Sequence, residues 1–455
     1  MVKTFETNDA GFQYVIDKKG TEDYNKHVAT FREKSKKTVK LNECRDLLHN
    51  WLKYFRPGHI AVMMNEDNKD GKELSSDEIR QRYKNERKVI LNEKEFINQF
   101  NNKKNRNPIE GIWSNEQYKI AIVPDEKNPG KFLGVVLKAD SVYWLPGQIK
   151  IEITAKNSGY KANYYMRDHS KQEYTCDLPD TNCAVLKLNW DYWKRDYPKR
   201  RITAKEQLLI AFSKSRVPFV EQLSDHTLYL RIPSFANEQK RNIDSVLRFF
   251  DKQIQSMPNL IIDIRYGTGG SDASYANIIP YVYTNPIRSV GIRVLATEMN
   301  AKAFEKYGQN NSDSSSAKYC YDIAKKMQGN SGKFIDTDSE NFSVDSSHKV
   351  LPFPKKVAII CNRYNGSTDE QFLIDVKQSR KVKVYGHSTM GCLDISNMNF
   401  VKFPDKRLTL GYCMSKSYRI PNYCIDGVGI QPDHFIDDNV SENDWIEYVR
   451  NEIEK

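Results

Sequence analysis

The sequence predicts an α+β chain of several domains, and three observations carry that expectation. Residues 1–105 place apolar side chains at helical spacing amid polar connections. Residues 106–202 hold short β-branched runs separated by turn residues, the texture of a barrel or sandwich. Residues 203–455 alternate short, wholly apolar strands with amphipathic helices. A chain of 455 residues is also long for one core, so two or three domains are expected.

Within the first segment, Leu47, Leu48, Trp51, Leu52 and Phe55 line one face of a helix over 43–55. Arg56-Pro57-Gly58-His59 breaks it, and 60–64 reads as a strand. A mobile loop and a charged helix over 77–100 are expected next. In the second segment, 118–123, 132–137, 148–153, 161–166 and 184–188 read as strands. Gly111-Ile112-Trp113 resembles the Gly-x-Trp opening of lipocalin-like barrels. A basic linker is expected near 197–201. The third segment gives strands at 227–232, 260–264, 357–361 and 381–385, with helices over 237–256 and after Ser367. Residues 296–350, with a helical stretch at 301–327, read as a lid-like insertion.

Composition narrows the class. Hydrophobic residues at 39% and charged residues at 28% describe a globular chain, and no apolar run approaches the roughly 20 residues of a membrane span. The 70 Lys+Arg against 59 Asp+Glu give +11, but the basic runs at 34–40 and 194–201 fall in connecting regions. Solvated charge is the reading, and no nucleic-acid partner is expected. Eight cysteines include no CxxC pair and no zinc-finger spacing, so neither a metal nor another cofactor is expected. Cys176 and Cys183 flank a turn-rich segment and form the one candidate disulfide. The protein is expected to be exported (periplasmic, cell-surface or secreted), with the signal absent from this chain.

Val357 to Val376, VAIICNRYNGSTDEQFLIDV, poses the functional question. Ser367-Thr-Asp-Glu370 fits a capping box, in which serine and glutamate satisfy the first amides of a helix. The alternative is a nucleophile at the end of a strand. Three further motifs bear on the choice: Leu260-Ile-Ile-Asp-Ile-Arg-Tyr-Gly-Thr-Gly-Gly270, Gly386-x-x-Thr389-x-Gly391 and Asp426-Gly-Val-Gly-Ile-Gln-Pro-Asp433. In this order and spacing over 227–436, they resemble the C-terminal-processing and tricorn-type serine peptidases. The resemblance implies a crotonase/ClpP-like ββα core, with a protein or peptide as the substrate.

That family divides by its general base. The Ser–Lys branch has a lysine after the Thr-x-Gly, where this chain has Cys392. The tricorn-like branch takes a histidine from an N-terminal turn, and His59 matches, with Pro57 in place of the usual acid. The resemblance therefore implies Ser367 as nucleophile, His59 as base and Asp426 as the late carboxylate. His387 and His434, beside the motif loops, are the rival bases. Thr368, Gly269 and Gly270 are expected to form the oxyanion hole, and Gly386, Thr389 and Gly391 to bind substrate. Gly267 stands where the family has asparagine. A serine hydroxyl needs such a base to become nucleophilic near neutral pH. The alternative reading is a non-catalytic protein that binds peptides or hydrophobic ligands on the same fold.

Overall fold

The computed structural model describes residues 1–65, 75–156, 159–189, 191–310 and 314–455. Two compact units divide it: Met1–Asp67 with Arg216–Lys455, and Asn68–Ser215. The N-terminal residues thus share a unit with the last half of the chain, a division that differs from breaks at 105 and 202. The loop expected before residue 77 lies largely outside the described residues.

In the larger unit a six-stranded sheet holds the strands Thr227–Arg231, Asn259–Asp263, Lys356–Cys361 and Val382–Gly386 side by side and parallel. Leu260, Ile261, Ile262, Ala358, Ile359 and Ile360 are all buried, as expected for parallel strands covered on both faces. The helix Lys240–Ile254 packs Ile243, Leu247 and Ile254 onto this core, and Thr368–Val376 adds Phe372, Leu373 and Val376. Each such side chain stabilises the unit by about 1.5–3 kcal/mol on burial.

A second sheet has five strands and joins the ends of the chain. The strand Ala61–Met64 pairs antiparallel with Leu408–Ser417, Ala61 facing Gly411. Leu408–Ser417 pairs along its other edge with Ile395–Lys402 and, further along the edge that carries Ala61–Met64, with Ile292–Leu295. The helix Leu41–Leu52 stops short of the break expected at Arg56, and Trp51, Leu52 and Phe55 enter a core shared with Phe5, Leu410, Tyr412 and Met414. The helices Glu298–Gln309 and Ser314–Met327 bury Ala303, Phe304, Ile323 and Met327 in this same core. The expected lid-like segment is therefore anchored as a packed layer.

The smaller unit is a closed antiparallel barrel of eight strands, from Gly111–Ser114 to Asp191–Tyr197. Sequence periodicity missed three of these. Gly111–Ser114 was hidden in a four-residue run, Lys171–Asp177 in a polar one, and Asp191–Tyr197 in the presumed basic linker. That last strand closes the barrel by pairing Trp113 with Arg195. Arg195 lies 3.9 Å over the Trp113 ring and its Nη1 donates to the Glu110 carbonyl at 2.7 Å, so its charge caps one end of the core. The predicted 77–100 helix is two helices, Ser76–Tyr83 and Glu93–Asn102, each opened by its own capping box. Cys176 and Cys183 are both free thiols, which corrects the disulfide expectation. Cys176 points into the barrel core, while Cys183 turns to the Thr181 carbonyl. No helix among the described residues is long and apolar enough to cross a membrane.

Candidate active site

Ser367 sits where the Lys356–Cys361 strand gives way to the Thr368–Val376 helix. Its backbone is at φ 59, ψ −124, and its side chain makes no cap bond to the helix. A non-glycine residue held there costs on the order of 1–3 kcal/mol, and a serine at a sharp strand-to-helix turn has its hydroxyl thrust outward. The capping box thus fails at the serine, whose hydroxyl makes no cap bond, while the Glu370 carboxylate still draws on the Ser367 amide. Glu370 also accepts from Thr389 Oγ1 at 2.5 Å, from the Gly391 amide at 2.7 Å and from the Cys392 amide at 2.8 Å.

Two asparagines that sequence reasoning passed over hold the elbow. Asn365 Oδ1 accepts from the Asn362 amide at 2.8 Å, and Asn365 Nδ2 donates to the Ile264 carbonyl and Asp369 Oδ2. Asn362 Oδ1 takes the Tyr266 amide at 3.2 Å. The 264–270 turn is thereby clamped to the serine loop. In sequence, an Asn-Gly pair marks no more than a turn preference.

That turn lies against Ser367. A Cβ on Gly269, at φ 81, would fall 2.6 Å from Ser367 Cβ and 2.9 Å from the Thr368 amide nitrogen. Thr368 opens the helix, so its amide has no intrahelical acceptor. The departure at Gly267 also has a physical reason: a Cβ there would meet Asp369 Oδ2 at 2.6 Å. Asp369 is fully buried, and burial pushes its carboxyl up to about 7 against hydrogen bonds from Asn365 and the Gly269 and Gly366 amides. Below the turn, Asp263 pairs with Arg265 at 2.7 Å and holds the end of the strand.

His59 follows the helix Leu41–Leu52 in a turn at φ 53, fixed by a pair the sequence reading did not single out. Arg56 and Asp9 form a buried bidentate ion pair at 2.8 and 2.5 Å, and Arg56 Nη2 also donates to the His59 carbonyl at 3.0 Å. The His59 ring places Nδ1 2.7 Å from the Ile395 carbonyl. A carbonyl only accepts, so Nδ1 carries the proton and the neutral ring keeps its lone pair on Nε2. Burial lowers the His59 pKa, with Arg56 pushing the same way and the Ile395 contact opposing.

Gly58 and Gly366, the residues before His59 and Ser367, both lie against Cys392. A Cβ on Gly58 would stand 2.6 Å from Cys392 Cβ, and one on Gly366 2.5 Å from Cys392 Sγ. The residues preceding His59 and Ser367 thus press on one side chain. Burial pushes that thiol up to about 12, so it is neutral near pH 7.

Asp426 is placed differently from a direct partner of the histidine ring. Its Oδ1 accepts the Leu393 and Asp394 amides at 2.7 Å and its Oδ2 the Ile395 amide at 3.1 Å. The ring and the carboxylate share Ile395, whose carbonyl takes Nδ1–H. Asp394 answers by accepting the Asp426 amide at 3.0 Å while paired with Arg419 at 2.7 Å. Burial raises Asp426 to about 6. His387 has both nitrogens engaged, Nε2 with the Ile436 carbonyl and Nδ1 with Arg363, and His434 stacks on Tyr385. Thr389 is buried between Glu370 and the Ile430 amide, Gly391 accepts from Gly427, and Gly386 accepts from Ile436. Structurally these three lace the motif loops together. Among the described residues no His, Cys, Asp and Glu cluster could hold a metal.

Residues 226–436 match the model of peptidase family S41. Mature CPAF complexed with lactacystin is similar over 99% of this chain and 96% of that one, at 11% identity and TM-score 0.49. A lipoprotein from Streptococcus agalactiae is similar over 55% and 73%, at 18% identity and TM-score 0.31. The photosystem II D1 C-terminal processing protease is similar over 98% and 94%, at 10% identity and TM-score 0.38. No curated protein sequence matches the chain. Residues 226–436 are thus similar to peptidase family S41, the family type that the order of the four motifs resembles.

Proposed function

We propose that this protein is a serine endopeptidase in which Ser367 attacks a peptide carbonyl, His59 is the general base and an acyl-enzyme forms. The observation that carries the reading is the serine at φ 59 without a cap bond, together with a histidine whose Nδ1 is anchored to a carbonyl and whose neighbour Gly58 packs, like Gly366, against Cys392. His59 Nε2 takes the Oγ proton as the Oγ–C bond forms, and the oxyanion is met by the Thr368 and Gly270 amides. The Gly269 amide leans on Asp369 and shapes that turn. Collapse breaks the C–N bond, the imidazolium protonates the leaving amine, and water repeats the cycle on the ester. Asp426 acts through the Ile395 peptide, fixing the carbonyl that sets the histidine tautomer. The parallel strands with their helices are read as a crotonase-like core, and the substrate as a protein or peptide.

A fluorophosphonate probe on the full chain tests this directly. One covalent adduct on the Ser367 peptide, absent from Ser367→Ala, is expected. An unlabelled wild-type chain would sink the catalytic reading and favour a binding protein on the same fold.

A further inference from the structure

The barrel holds a buried amine that peptide hydrolysis does not use. Lys150 lies in the strand Ile149–Ala155 at a register shift, where Val135 pairs with Ile149 and Gly134 with Ile151. The unmatched residue of such a bulge is re-aimed relative to strict alternation. Lys150 is 1% exposed, and its Nζ stands 4.1 Å from the centre of the Trp144 ring, 4.4 Å from Tyr118 and 4.5 Å from Tyr164.

An ammonium has three protons to place. One goes to the Tyr165 carbonyl at 2.5 Å, and the rings offer only π faces. The nearby carboxylate, Asp140, has Oδ1 turned to the Val142, Tyr143 and Trp144 amides at 3.0–3.2 Å. It holds the loop that carries Trp144 and forms no short ion pair with the amine. Burial lowers Lys150 to about 7, with Asp140 opposing, so the site lacks a close countercharge.

The amine borders a cavity of about 760 Å³ whose wall includes Tyr118, Tyr164 and Met166, with Lys138 and Arg167 adding positive charge. Glu116 and Asp140 also border it. A body of aromatic size fits that volume, and an anionic head would supply the acceptor that Lys150 lacks. We infer that this end of the barrel binds a small carboxylate with an aromatic or aliphatic body, its head on Lys150 and its body on Tyr118, Tyr164 and Met166.

Titration calorimetry on the full chain, with 2-naphthoate against 2-naphthylmethanol, tests the inference. Naphthoate should bind at least tenfold tighter, Lys150→Met should erase the difference, and Lys150→Arg should keep it. Equal binding of the two, binding of neither at millimolar concentration, or a preference that survives Lys150→Met would overturn it. The wild type supplies a readout independent of variant folding: methylation of Lys150 by formaldehyde and borohydride, located by peptide mass. Naphthoate should suppress the methylation at Lys150 severalfold. Methylation unchanged by naphthoate, or a Lys150 that never reacts, would also overturn the proposal.

Discussion

The same four-residue pattern opens helices at two kinds of place in this molecule, and only one obeys it. Ser75-Ser-Asp-Glu78 and Thr203-Ala-Lys-Glu206 form reciprocal capping boxes, each Ncap residue in extended backbone at φ −63 or −77. Ser367-Thr-Asp-Glu370 has the same letters, yet Ser367 stands at φ 59 and its hydroxyl leaves the helix uncapped. The difference is what surrounds the turn. Glu78 is exposed and Glu206 is buried, yet each carboxylate keeps its own N-cap residue as partner, with no competing loop among the described residues. Glu370 is buried and is claimed by Thr389, Gly391 and Cys392, while Asn362 and Asn365 fix the backbone before the serine. A capping signature states a local preference, and at Ser367 a tertiary clamp overrides it.

The largest effect that would break this contrast comes from removing the two hydroxyls. Ser367→Ala is expected to lower kcat by on the order of 10⁴–10⁶ while leaving the thermal midpoint nearly in place. Thr203→Ala should do the reverse, costing about 1 kcal/mol of stability with turnover intact. Peptidase assays and thermal melts on both variants check this. A Ser367→Ala chain that keeps its turnover would make the serine a structural residue.

The base sharpens the same contrast. His59→Asn is the variant of choice, because asparagine tolerates the left-handed backbone at φ 53. It should lose turnover on a scale comparable with Ser367→Ala, and the double variant should lose no more than the single ones. Only neutral imidazole can accept the Ser367 proton, and burial holds His59 below the ordinary histidine value of 6.5. Activity should therefore rise with pH through a midpoint under 6.5 and be flat at neutrality. A pH–rate profile whose midpoint lies well above 7 would point to another base.

Much of this was legible in the sequence. The parallel strands announced themselves as unbroken apolar runs, the order of four motifs put Ser367 and the 265–270 turn in one proposal, and the branch comparison added His59. What escaped was long-range. Nothing local to Asp9 marks it as the partner of Arg56, 47 residues away, and nothing in Ile395 reveals that its carbonyl receives a histidine 336 residues earlier. The resemblance names Asp426 as the late carboxylate, but its carboxylate collects backbone amides, which carry no signature in side-chain identity. The closing barrel strand was lost because Lys194 and Arg195 read as solvated charge, whereas Arg195 is buried over Trp113.

Glutamate removal is the next test in size. Glu370→Gln leaves fewer acceptor sites for Thr389 Oγ1 and the two amides, so a stability loss of about 1–3 kcal/mol is expected, with lowered turnover as the motif loops loosen. Glu78→Gln, exposed and in a working capping box, should stay within about 0.5 kcal/mol and leave turnover unchanged. Denaturant melts of the pair would show whether the buried glutamate has a tertiary role beyond its capping one. Equal, small losses would mean that the loops are held by other contacts.

The smallest effect is expected at Cys392, and its smallness is informative. By the resemblance, this residue stands at the motif position that holds the lysine of the Ser–Lys branch, and the glycines preceding His59 and Ser367 both press against it. If its sulfur did chemistry, removal would be costly. With the thiol pushed up to about 12 by burial, it is uncharged at neutral pH and offers no base. Its amide contact to Glu370 belongs to the backbone and survives substitution. Cys392→Ala should therefore keep turnover within a few-fold and cost about 1 kcal/mol or less by loss of packing. The larger Cys392→Met would be pressed into Gly58 and Gly366, separate His59 from Ser367 and reduce kcat while the unit remains folded. Turnover retained in the alanine variant and lost in the methionine variant would identify Cys392 as a spacer that sets the distance between base and nucleophile. A comparable loss in the alanine variant would return the sulfur to the list of reacting groups.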